Sequence, residues 1–92
     1  MDIKWNDRDP DSGERRFIRA ERFGGFWKFH YRRARRGIWT RLHPPTIEMW
    51  EEVLDALERR LPRREGVTEV DVKQVRQIIA GLRARRGPDE EE

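Results

Sequence analysis

Two adjacent glycines between aromatic flanks, Phe23-Gly24-Gly25-Phe26, constrain this chain more than any other feature. Glycine reaches positive φ without steric cost, and a two-residue loop of such residues is a favoured β-hairpin connection. Residues 16–23 then read as one strand and residues 26–33 as its return. Phe23 faces Phe26, and Glu21 faces Lys28, an opposite-charge pair that supports this register. In the same register Ala20 faces Phe29, Ile18 faces Tyr31 and Arg22 faces Trp27. Side chains alternate along a strand, so these six share one mostly apolar face. The other face takes Phe17, Arg19, Glu21, Phe23, Phe26, Lys28, His30 and Arg32, cations with rings interleaved.

The flanks extend the sheet. Asp9-Pro10-Asp11-Ser12-Gly13 has the composition of a turn, and Ile3-Lys4-Trp5 before it reads as a short strand. Arg35-Arg36-Gly37 is a second turn, followed by a strand over 38–42 that His43-Pro44-Pro45 stops. Two registers fit there. A four-residue loop over 34–37 sets Arg33 opposite Ile38. It directs Ile38, Thr40 and Leu42 to the core and leaves Trp39, Arg41 and His43 on the basic face. A three-residue loop over 35–37 reverses the faces and buries Trp39. The first is preferred because it gives Ile38 and Leu42 to the core and keeps Arg41 in water.

Helical periodicity replaces alternation after the prolines. Thr46 is a fitting N-cap. Ile47, Trp50, Val53 or Leu54, Leu57 and Leu61 make one apolar stripe, and Pro62 ends the helix. Thr68 with Asp71 resembles a capping box, and Val72, Val75, Ile79 and Leu82 form a second stripe closed by Gly87-Pro88. The expected class is α+β: an antiparallel three- to four-stranded β-meander followed by two α-helices packed on one face of the sheet. The expected core is Ile18, Ala20, Trp27, Phe29, Tyr31, Ile38, Leu42, Ile47, Trp50, Val53, Leu54, Leu57, Leu61, Val72, Val75, Ile79 and Leu82. A single domain over 1–87 and a disordered acidic tail over 88–92 complete the reading.

Composition narrows the function. The chain has 92 residues, 42% of them charged, with a net charge of +3. That small net value conceals segregation: residues 15–43 carry ten basic groups and one acidic group. Arginine dominates the cations, and its planar fork suits phosphate or carboxylate. There is no cysteine, which excludes disulfides, thiolate metal sites and cysteine nucleophiles. No apolar run approaches a membrane span. Residues 1–7 lack the apolar centre of a signal peptide, so the expected location is the cytoplasm, with no membrane partner.

No catalytic constellation assembles, and the expectation is a protein that is not an enzyme and takes no cofactor. His30 and His43 are too few for zinc without cysteine. Asp7, Asp9 and Asp11 alternate as in a calcium loop, but Gly13 falls one position late and Ile18 stands where a bidentate Glu belongs.

The basic face remains. Guanidinium groups neutralise phosphates and rings stack on bases, the two needs of nucleic-acid binding on an open sheet. Arg19, Lys28, Arg32 and Arg41 supply charge; Phe17, Phe23, Phe26 and Trp39 supply stacking. Single-stranded DNA or RNA fits this arrangement, and a duplex major groove is the alternative nucleic-acid geometry. The competing class is a small interaction or assembly module that binds an acidic protein surface or forms a homodimer. On the plainest reading, exposed arginines are a solvated face that guards against aggregation.

The run Phe23-Gly24-Gly25-Phe26-Trp27-Lys28-Phe29-His30-Tyr31-Arg32, with Arg36-Gly37-Ile38 and the Trp50 helix, resembles the single-stranded DNA-binding fold of the transcriptional coactivator positive cofactor four family. The resemblance covers roughly residues 17–57. It implies single-strand binding by the sheet and its basic loops, with Phe23, Lys28, Arg32 and Arg36 as contacts and a helix that supports dimers. The short turn at 34–37 and a second helix over 68–84 depart from that pattern.

Overall fold

The computed structural model describes residues 1–34, 36–63 and 66–86. The acidic tail and the Gly87-Pro88 stop lie outside the described residues. The chain forms a four-stranded antiparallel sheet followed by two helices, an α+β fold. It divides into two compact units, the sheet unit Met1–Pro45 and a helical unit from Thr46 onward.

The strands are β1 (Asp2–Arg8), β2 (Arg15–Phe23), β3 (Phe26–Arg32) and β4 (Thr40–Leu42), paired in chain order. Gly24 and Gly25 have φ of 51° and 86°, the doubly positive loop that the β2–β3 hairpin needs. The β2–β3 register matches the sequence reading at every pair, from Phe17 opposite Arg32 to Phe23 opposite Phe26. The β3–β4 pairs also follow the preferred register, with Phe29 opposite Leu42, His30 opposite Arg41 and Tyr31 opposite Thr40, but the strands stop short of the expected four-residue loop, β3 at Arg32 and β4 at Thr40.

β1 is longer than Ile3-Lys4-Trp5 suggests, running seven residues against β2 with Ile3 opposite Ala20 and Trp5 opposite Ile18. Its turn is closed by local bonds: the Asp9 N–H donates to the Glu14 carbonyl at 2.8 Å, and the Asp11 N–H to the Asp9 carboxylate at 2.8 Å. Ile3, Ile18, Ala20 and Phe29 are buried on one face of the sheet. Trp5 meets Phe29 edge-on, with ring centroids 6.4 Å apart. Burying side chains such as Ile18 and Phe29 stabilises by about 1.5–3 kcal/mol each.

The core differs from the expected one in specific places. Ile38 is 88% exposed, because β4 begins only at Thr40 and leaves Ile38 in the connection. Thr40 is exposed as well. Trp27, Tyr31, Leu42, Leu54, Leu61 and Leu82 are half-buried, while Ile3, Met49, Ala56 and Val67 join the buried set.

In the helical unit, α1 (Ile47–Arg60) starts where Thr46 Oγ1 accepts from the Met49 N–H at 3.2 Å. A 3-10 turn, Leu61–Arg63, contains Pro62, whose ring cannot continue an α-helix. α2 (Glu69–Arg86) begins with a reciprocal cap. The Thr68 N–H donates to Asp71 Oδ2 at 2.9 Å, and the Asp71 N–H donates to Thr68 Oγ1 at 3.4 Å. The two helices run antiparallel, with Arg76 on Glu58 at 2.5 Å and Arg83 on Glu51. Val53, Leu57, Val72, Val75 and Ile79 are buried.

Candidate functional site

The two faces of the sheet treat arginine differently. On the face of Ile18 and Phe29, Arg16 is 8% exposed and makes a bidentate pair with Asp7, at 2.9 and 2.8 Å. Asp7 and Arg16 stand opposite each other in the β1–β2 register, which aligns the fork with the carboxylate. Arg33 bonds Asp9 at 2.8 Å and Glu14 at 3.2 Å. Both guanidinium groups also lie 5.6 Å from the Tyr31 ring centroid. The Asp11 N–H and Arg33 hold the Asp9 carboxyl below its ordinary range. Asp7 and Asp9 are therefore committed to arginines, and among the described residues no group of three His, Asp or Glu is arranged to hold a metal.

On the opposite face, carboxylates are scarce. Arg19 bonds Glu21 at 2.6 Å and approaches Asp2 at 3.4 Å. The expected Glu21–Lys28 pairing holds for the backbone, but the Glu21 carboxylate turns to Arg19 instead. The Lys28 ammonium lies 5.9 Å from the Phe23 ring. Lys4, Lys28, Arg32 and Arg41 have no carboxylate partner among the described residues. Arg32 is held by rings, 4.4 Å from Trp39 and 5.9 Å from Phe17. Arg19 reaches the same indole at 5.9 Å. Such contacts contribute about 0.5–1 kcal/mol each where water has access, enough to orient a guanidinium without neutralising it.

The structure brings together Phe17, Arg19, Phe23, Phe26, Lys28, Arg32, Trp39 and Arg41 on this face. Trp39 precedes β4 yet packs over the arginines, as the preferred register requires. Phe26 is 76% exposed and Phe23 55%, at the hairpin tip. Arg36 sits apart, exposed in the β3–β4 turn.

Sequence reading missed the contribution of β1. Lys4 and Asn6 stand opposite Arg19 and Phe17 and, with Arg32 and Trp39, line a groove of about 210 Å³. The signal was present: Asp2, Lys4, Asn6 and Arg8 alternate with Ile3, Trp5 and Asp7 as a two-faced strand must. His30 shares this face and lies between Arg19 and Arg41. Burial and those two arginines lower its pKa from the ordinary 6.5.

No known family model, curated protein or solved structure matches this chain. Among the described residues no helix is long and apolar enough to cross a membrane.

Proposed function

We propose that the open face of the sheet binds single-stranded nucleic acid. One observation carries this reading: Lys4, Lys28, Arg32 and Arg41 lack carboxylate partners among the described residues and share their face with Phe17, Phe23, Phe26 and Trp39. Like charges on neighbouring strands are unfavourable unless an anion is supplied. A phosphodiester backbone supplies it, and bases gain about 1–3 kcal/mol each by stacking on exposed rings. Exposed Phe23 and Phe26 favour an unpaired strand over a duplex, whose bases are already stacked.

Ile38 supports a second reading. It is 88% exposed beside Trp39, which suits docking on a protein, either an acidic surface or a second copy of this chain. Titrating the protein with short DNA and RNA oligomers at low and moderate salt, alongside its mass in solution, separates the two. Nucleic-acid binding predicts saturable, salt-sensitive binding by a species of constant mass. No binding to any oligomer at low salt, with a mass above that of one chain, overturns it in favour of the protein-partner reading.

A further inference from the structure

The strand register draws one line across the open face. Lys4 stands opposite Arg19, Arg19 opposite His30, and His30 opposite Arg41, one residue from each of the four strands. We propose that this line is a phosphate-binding row in which His30 takes up a proton when a phosphate is seated beside it. The inference rests on the nucleic-acid reading of the same face and adds to it a residue and a proton.

The groups around His30 make the case. Arg19 faces it from β2 and Arg41 from β4. Lys28 and Arg32 flank it on its own strand, and Lys4 lies beyond Arg19 on β1. Of the carboxylates, Glu21 acts on it and is bonded to Arg19, and Asp2 lies 3.4 Å from the same guanidinium. In the free protein a proton on His30 would add a further charge to a cationic row, and its pKa is lowered accordingly, first by burial and then by Arg41 and Arg19. A phosphate between the arginines reverses the balance. It neutralises the neighbours and offers an acceptor to the imidazolium, which donates from both nitrogens. The bound midpoint therefore rises while the free one stays low. Wherever binding takes up a proton, affinity increases as the pH falls between those two midpoints, by about tenfold for each unit of separation.

The test follows His30 by proton NMR in the full chain, free and saturated with an oligothymidylate, then with long-chain inorganic polyphosphate. Thymine and internal phosphates do not titrate in the histidine range. A His43→Gln variant assigns the two histidine signals. The proposal expects both probes to raise the His30 midpoint by a unit or more, and oligothymidylate affinity to rise several-fold as the pH falls through that range. His30→Gln should still bind but lose this pH dependence. Oligothymidylate binding with an unmoved His30 midpoint overturns the proton-linked row and leaves the nucleic-acid reading standing. Polyphosphate that shifts His30 while no oligomer binds keeps the row as a phosphate site and overturns the nucleic-acid reading. Neither probe binding at low salt overturns both.

Discussion

Arg16 and Arg32 lie on opposite faces of the same four-stranded sheet, and their surroundings are opposite too. Arg16 is buried, gripped by both oxygens of Asp7, and stacked by Tyr31. Arg32 is half-buried, touches no carboxylate among the described residues, and lies against Trp39 and Phe17. Its buried Nε has no hydrogen-bond partner. The same side chain thus closes a structure on one face and leaves a charge available on the other. What differs is the residue across the ladder: aspartate opposite Arg16, phenylalanine opposite Arg32.

The largest expected effect is on the closed face. Arg16→Ala leaves the partly buried Asp7 carboxylate without its partner and should lower unfolding free energy by about 2–4 kcal/mol. Urea denaturation measures this, and nucleic-acid affinity under native conditions should be unchanged. Arg32→Ala should cost only about 1–2 kcal/mol, the worth of its two ring contacts, while weakening binding. Equal stability losses at the two positions would erase the distinction between the faces.

A second change separates charge from stacking. Trp39→Ala removes a ring that orients two arginines, and should weaken oligomer binding by about 1–3 kcal/mol with little effect on its salt dependence. A large loss of salt dependence would show the indole acting mainly as a positioner of cations.

The smallest effect sharpens the comparison from the acidic side. Glu21→Gln takes from Arg19 its nearest carboxylate, 2.6 Å away, and moves the open face further from the condition of Arg16. Low-salt affinity should rise a few-fold, with stability altered by less than about 1 kcal/mol, as expected for a half-exposed ion pair. Unchanged affinity would mean that Arg19 contributes nothing to the bound state.

Local chemistry was the most legible part of the sequence. Gly24-Gly25 set the β2–β3 register, and through it the face that Phe17, Arg19, Lys28 and Arg32 share. Thr46 and the Thr68–Asp71 cap were readable because a cap joins residues three apart. Contacts fixed by side-chain reach were not. The register set Lys28 opposite Glu21, yet Glu21 bonds Arg19 two residues away on its own strand. Ile38 read as core by its apolarity, but alternation buries a residue only while the strand continues, and β4 begins at Thr40. The Asp7–Arg16 pair depends on β1 running to Arg8, a length that Ile3-Lys4-Trp5 alone does not show, and the part taken by Lys4 depends on the β1–β2 register that sets it opposite Arg19.

The central claim is that the open-face cations neutralise phosphates. The most direct measurement is the slope of log affinity against log salt for a single-stranded oligomer, for the wild type and for Arg19→Ala, Arg32→Ala and Arg41→Ala combined. Each single-strand phosphate contact contributes about 0.7 to that slope, so the triple variant should flatten it by about 2 while remaining folded. An identical slope in the two folded proteins would contradict the claim and make this face a solvated surface.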